Sequence, residues 1–274
     1  MKLEAILSPA ELPALARRDL RNAVCVVFDV LRATSTFVTA LQHGAKAIVP
    51  VAEIAEALAL RRKQPDVLLG GERDGIKIRA AQTGGVDFDL GNSPREYTPE
   101  TVRGKTIVST TTNGTRALRA GAGAKTVLAA SFLNLTATAK FVRELQAQEV
   151  LLVCAGTREN IANEDVLAAG ALAEMLIRWG ETTGEPNSEP RQSGSRGRSP
   201  HQKGTCEFSD SVATALNAWQ QAKPDLLEVV SEAENARRLL AVPELRGDIA
   251  FCLQRDIFNL VAVLHPDGAI RTSI

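Results

Sequence analysis

The sequence predicts an α/β fold: layered, with a largely parallel sheet, flanking helices and a C-terminal β-hairpin. Three observations carry that expectation. Short β-branched runs recur at Ala23–Val30, Ala47–Val51, Val67–Leu69, Thr106–Ser109, Thr126–Ala129 and Val150–Cys154, as in strands covered on both faces. Helical spacing lies between several of them, at 33–43, 53–63, 114–120, 134–147 and 163–178, and repeated strand–helix–strand order favours parallel pairing. Finally, Leu260–Leu264 and Ala269–Ile274 flank Pro266-Asp267-Gly268, a hairpin turn sequence.

Taken in order, Ser8-Pro9-Ala10-Glu11 is a capping box with proline at the first helical position, so a helix starts there. The run 23–30 gives way to Phe37, Ala40 and Leu41 on one helical face, and Gly44 can end that helix. Further on come a helix over 209–221, a second capping box at Ser231-Glu-Ala-Glu234, and an amphipathic stretch over 243–256 ending at Asp256. Residues 181–206 have no apolar face and are dense in Pro, Gly and Ser, which reads as a loop insertion. Its second half carries Arg191, Arg196, Arg198 and Lys203 without an acid. The organisation is therefore an α/β domain over 1–180 holding most site motifs, the insertion 181–206, and a C-terminal α/β portion, 207–274, packing on the first as one continuous unit.

Lys plus Arg is 32 and Asp plus Glu is 32, for a formal net charge of zero, and aromatics make up 4%. That balance argues against nucleic acid and anionic membranes as partners. No run of about 20 apolar residues is present to span a membrane, and the N-terminus lacks an apolar signal core. Cys25, Cys154, Cys206 and Cys252 show no C-x-x-C spacing; reduced thiols in a cytoplasmic protein are expected.

Chemistry concentrates where apolar runs stop. After Val24–Phe28 come Asp29, Arg32 and the hydroxyls Thr34, Ser35 and Thr36, a carboxylate and an anion grip at a helix N-terminus. Unpaired helix N–H groups favour an anion there and Arg32 can hold one bidentately; Asp29 would repel it unless a cation lay between. The pattern asks for an oxyanion bridged to a metal. Ser109-Thr-Thr-Thr-Asn-Gly-Thr-Arg116 repeats the theme. Helix capping accounts for its hydroxyls, but oxyanion binding also accounts for Arg116 and is preferred. Gly70-Gly71-Glu72-Arg73 and Asp87–Pro94 read equally as turns or as site loops, and Glu164-Asp165 as metal ligands or as helix-dipole partners. In an α/β sheet the carboxyl ends of strands are where ligands bind, so the convergence counts for more than any one segment. The second aspartate of haloacid-dehalogenase-like phosphatases, a C-x5-R loop and a G-x-x-x-x-G-K-[ST] cradle are all missing, and three histidines are too few for a histidine or zinc scheme.

Together Asp29–Thr36, Gly71–Arg73, Phe88–Pro94, Ser109–Arg116, Cys154–Gly156, Glu164-Asp165 with Ala169-Gly170, and Asp248-Ile249 with Cys252 and Asp256 resemble the 2-phosphosulfolactate phosphatase family, magnesium-dependent enzymes known from coenzyme M biosynthesis. Two departures from that pattern are the long insertion and a longer stretch from Asp74 to Gly85. The resemblance implies hydrolysis of a phosphate ester of a small sulfonated or carboxylated acid, with Mg²⁺ held by Asp29, Glu72 and Asp165, helped by Glu164 and Asp256. It further implies that Arg32, Thr34, Ser35 and Thr36 hold the phosphate and that Thr111, Asn113, Gly114, Thr115 and Arg116 hold its other side or the sulfonate and carboxylate. Catalysis would rest on Asp29, Arg32, Asn113, Arg116 and Asp165, by direct water attack, with an aspartyl phosphate on Asp29 as the competing route. A small anionic substrate is the expected partner, with self-association permitted. The competing readings are a phosphatase for another phosphorylated acid and a non-catalytic binder of phosphorylated or sulfonated metabolites.

Overall fold

Strand Ala23–Phe28 is buried at every position. Its alternate residues enter two different cores: Val24, Val26 and Phe28 on one face, Ala23, Cys25 and Val27 on the other. That two-sided burial is why the run is continuously apolar rather than alternating. The computed structural model describes residues 1–181 and 206–273. Its strands are β1 (Lys2–Ile6), β2 (Ala23–Phe28), β3 (Ala47–Pro50), β4 (Leu68–Arg73), β5 (Ile76–Lys77), β6 (Thr106–Thr110), β7 (Thr126–Ala130), β8 (Glu149–Cys154), β9 (Glu207–Phe208), β10 (Val261–Leu264) and β11 (Ile270–Ser273). They form one sheet in the order β5-β4-β6-β3-β11-β10-β7-β2-β8-β1-β9.

The pairing is mostly parallel, as the sequence predicts. β4, β6 and β3 make one parallel block; β7, β2, β8 and β1 make another. The C-terminal hairpin β10–β11 joins them through three successive antiparallel pairings, so the blocks run in opposite directions. Only Ile270↔Ile48 links β11 to β3. Helix Ala33–Gln42, which follows β2, is buried at every residue from Ala33 to Leu41, and its Phe37 and Val38 share a core with Ile107 of β6 and Ala262 of β10. The sheet thus wraps around this helix rather than presenting it to water.

On the opposite face of β2, helix Asn163–Glu181 packs on helix Asp210–Ala222. Gly170 makes that approach close: a Cβ there would lie 2.1 Å from the Ala215 carbonyl oxygen. Trp219 fills the space beside it, fully buried, with its Nε1 donating to Glu174 Oε2 at 2.6 Å.

Several expectations change. The strand foreseen at Val67–Leu69 continues through the polar Gly70–Arg73, because Gly70 and Gly71 pair with β6 and Glu72 and Arg73 with β5. Lys2–Ile6 is a strand between β8 and β9, unforeseen because five residues show little periodicity. The Ser8–Glu11 capping box forms. The second does not: Ser231 ends helix Leu226–Ser231, with its hydroxyl on Leu227 O, and the next helix, Glu234–Leu240, is entered from Ala233. The stretch 243–256 yields only helix Arg246–Cys252 after one 3-10 turn. The insertion 181–206 with its four basic residues lies, apart from its two ends, outside the described residues.

Candidate active site

A cavity opens where the carboxyl ends of strands from both blocks meet. Its polar wall includes Asp29 after β2, Glu72 of β4, Thr112 and Asn113 after β6, and Thr157 after β8. Its apolar wall is Leu239, Val242 and Leu245 from the C-terminal helices, with Leu31 and Ile76.

Asp29 sits at the N-terminus of helix Ala33–Gln42. Its Oδ1 accepts from Ala33 N at 3.1 Å, and its carbonyl accepts from Thr34 N at 2.9 Å. The sequence reading placed a bound oxyanion at this helix end; the carboxylate of Asp29 itself takes that position. A Cβ on Gly114 would lie 2.7 Å from Asp29 Oδ2, so glycine lets the second hydroxyl-rich turn press against the carboxylate. Burial pushes the Asp29 carboxyl up to about 7; the Ala33 amide opposes this and the charges of Glu72 and Glu164 add to it.

Arg32 is buried, across a cis Leu31–Arg32 peptide. Its Nη1 donates to Asp248 Oδ2 at 2.7 Å and its Nη2 to Gly75 O at 2.6 Å. Asp248 also accepts from Ser93 Oγ at 2.7 Å, so the guanidinium is fixed from two sides while still bordering the cavity.

The three hydroxyls after Arg32 do not border it. Thr34 Oγ1 bonds the Asp29 backbone, Ser35 Oγ donates to Val30 O, and Thr36 Oγ1 donates to Asn92 O. A helix start enclosed by protein must satisfy its polar groups internally, and these residues do so. Thr111 and Thr115 are likewise buried, 3.4 Å apart through their hydroxyls, while Arg116 lies outside on Glu159 at 3.1 Å.

The carboxylates divide sharply. Both oxygens of Asp165 accept backbone amides, from Val30 at 2.7 Å and Gly156 at 3.0 Å, tying together the ends of β2 and β8. Burial raises its carboxyl well above the usual carboxylate range, and Glu164 and Asp29 add to this. Glu72 is held by Thr112 N and Oγ1 on one oxygen and by Gly75 N on the other. Asp256 is exposed and accepts from Thr136 N at 2.6 Å, capping helix Leu135–Glu144; it belongs to another part of the molecule. Glu164 lies behind the cavity wall, with Oε1 accepting from Asn235 at 2.7 Å and Oε2 buried without a partner. Burial raises its carboxyl also, opposed by Asn235.

The structure therefore brings Asp29, Arg32, Glu72 and Asn113 to one cavity, with Gly114 and Glu164 against it. Sequence reasoning missed Asn92, Arg158, Asn235 and Arg238, which also border it. Asn235 and Arg238 follow an expected capping box rather than a strand end, so no positional rule pointed to them. Arg158 was within reach: it lies just past the end of β8, where the α/β rule looks for ligands.

As a metal set the carboxylates are sparse. Among the described residues no three acidic, histidine or cysteine side chains converge as ligands. Yet Glu164 Oε2 lacks a partner and Asp29 borders the cavity, and Mg²⁺ is commonly held by one or two carboxylates with water and substrate phosphate completing its shell. Asp29 and Glu164 fit such an ion; Asp165, Glu72 and Asp256 are committed elsewhere.

Comparisons with known proteins agree in one direction. Residues 10–267 match the model of the family described as 2-phosphosulpholactate phosphatase. The chain is 36% identical to a protein of Caldanaerobacter subterraneus over 93% of both chains. It is 38% identical to one of Pseudothermotoga lettingae over 90% of this chain and 92% of the other. A relative in Nostoc punctiforme is 30% identical over 95% and 96%. All three relatives are named probable 2-phosphosulfolactate phosphatase.

Proposed function

We propose, for a chain that belongs to the 2-phosphosulpholactate phosphatase family, that it hydrolyses 2-phosphosulfolactate to sulfolactate and phosphate with Mg²⁺ as its metal. The observation that carries the reading is that a buried carboxyl, Asp29, and a buried guanidinium fixed by Asp248, Arg32, border one cavity. Phosphate-ester hydrolysis needs mainly positioning and charge neutralisation around the transferring group. Arg32, held by Asp248 and Gly75 O, offers its cavity-facing edge to the phosphoryl oxygens without reorganising. Asn113 and Thr112 line the same cavity, where they can orient the ester. Asp29 borders the same cavity, where its carboxylate can take the proton of the attacking water. Asp29 and Glu164 would hold Mg²⁺, whose contribution when bound would be to neutralise phosphate charge.

Among the described residues no serine or cysteine lines the cavity, and Cys25, Cys154 and Cys252 are buried, with burial pushing their thiols up. That supports direct water attack. The unpaired thiols also support a reducing, cytoplasmic setting, and the sulfolactate released would suit a coenzyme M type of biosynthesis. The test is phosphate release from racemic 2-phosphosulfolactate, with and without Mg²⁺, beside phospholactate and phosphoglycolate. Mg²⁺-dependent release favouring the sulfonated ester supports the reading. Release equal from all three, or none, refutes the substrate or the activity respectively.

A further inference from the structure

Among the described residues three arginines border the cavity, and they are not alike. Arg32 is buried and locked between Asp248 and Gly75 O. Arg158 and Arg238 stand at the mouth, their side chains 64% and 39% exposed. Arg158 is displayed by a tight turn: Thr157 N donates to Asn160 O at 2.8 Å, the reverse bond is 2.9 Å, and Arg158 itself has φ 56°. Its amide reaches Asn113 Oδ1 at 3.3 Å, which ties this turn to the wall carrying the second hydroxyl cluster. The guanidinium comes no nearer than 3.7 Å to Asp74, itself 87% exposed. Among the described residues Arg238 pairs with Glu234, one turn back on its own short helix. Exposed pairs of this kind hold their cations weakly, so both guanidinium groups can exchange a surface carboxylate for a bound anion. The helix bearing Arg238 is pinned over the cavity by Asn235, which donates to Thr157 Oγ1 and to Glu164 Oε1 at 2.5 and 2.7 Å.

Arg32, Arg158 and Arg238 border one cavity, so a substrate carrying a phosphate and a second strong anion meets cations of both kinds there. We infer that Arg158 and Arg238 form a second anion subsite that grips the sulfonate of the substrate and so sets the preference for a sulfonated over an unsulfonated phospho-acid. The inference rests on the phosphatase reading and adds the element that selects among phosphate esters. The guanidinium fork suits a tetrahedral sulfonate as it does phosphate.

The experiment compares wild type with Arg158→Gln, Arg238→Gln and the double variant on 2-phosphosulfolactate and on phospholactate, which has the same skeleton without the sulfonate. Removal of a sulfonate grip lowers the ratio of the two kcat/KM values by about tenfold or more in the double variant, through KM for the sulfonated ester. Equal losses on both esters, or an unchanged ratio, overturn the assignment. Should wild type release no phosphate from either ester, the phosphatase reading fails first, and calorimetry with sulfolactate against lactate decides the subsite separately. Sulfolactate binding that is lost in the double variant upholds it. Binding that is absent from wild type, or equal in both proteins, overturns it.

Discussion

Asp248→Ala isolates the contact that fixes Arg32. The two side chains are 0% and 2% exposed and meet at 2.7 Å, so the substitution leaves a guanidinium buried with Gly75 O as its remaining partner. Arg95, 3.6 Å from the lost carboxylate, adds a second positive charge nearby. Removing one partner of a buried pair costs about 3–5 kcal/mol. At about 1.36 kcal/mol per tenfold, that is two to nearly four powers of ten in the unfolding equilibrium. For a chain of this size it is a fall in Tm of about 6–20 °C. The double variant Arg32→Met/Asp248→Leu removes both charges. It leaves Ser93 Oγ without its acceptor and Gly75 O without its donor, at about 1 kcal/mol each, so it should sit within about 2 kcal/mol of wild type. Urea unfolding of wild type, Arg32→Met, Asp248→Leu and the double variant measures the cycle, with Asp248→Ala beside them, and phosphate release measures function. The reasoning predicts a double variant more stable than Asp248→Ala and still inactive. A single variant losing under about 1 kcal/mol, against the 3–5 expected of a buried pair, would refute it, as would additive losses in the double.

Gly114→Ala places a Cβ 2.7 Å from Asp29 Oδ2 and 2.9 Å from Ala33 Cβ, so the carboxylate must move; turnover should fall by about tenfold or more, in line with the cost of misplacing reacting groups, while Tm changes little by comparison, and wild-type turnover would remove Asp29 placement from the mechanism. Glu174 is raised by partial burial, but hydrogen bonds from Trp219, Gln220 and Lys223 outweigh this and hold its carboxyl at about 2, below an ordinary 4.5. A depressed carboxylate contributes stability that is present above its unfolded pKa and lost as pH falls toward the folded value, so between pH 4.5 and 2 wild type should lose more Tm than Glu174→Gln; parallel curves would contradict it.

Much of the fold was legible because two-sided burial leaves a strong mark: β2, β8 and the hairpin β10–β11 follow directly from apolar runs and a turn sequence. Strand order was not legible, since nothing in Ile48 or Ile270 announces that they alone would join the hairpin to β3. The site was read in half. Asp29, Arg32, Glu72 and Asn113 stand at strand ends, where the α/β rule looks. Asn235 and Arg238 come from a helix that packs over the cavity from the far end of the chain, and periodicity carries no information about such long-range placement. Asp256 was a misplacement of another sort: an acid after an amphipathic stretch looks the same whether it meets a metal or caps a distant helix.

The hydroxyl run after Arg32 shows why residue type and residue role separated here. Because the two parallel blocks run in opposite directions, a flat sheet would put the carboxyl ends of β2 and β4 on opposite edges, far apart. Both ends supply one cavity, so the sheet must curl, and the helix after β2 becomes the element it curls around. A helix enclosed on all sides cannot leave its first N–H groups or its side-chain hydroxyls to water. Asp29 therefore caps it with its own carboxylate and carbonyl, and Thr34, Ser35 and Thr36 turn inward to Asp29, Val30 and Asn92. The same composition that suits an oxyanion cradle suits a buried helix start, because both require donors and small polar groups where a strand ends. Among the groups the curl leaves at the cavity are a buried carboxyl, Asp29, pushed up to about 7, and a buried guanidinium, Arg32, held by Asp248.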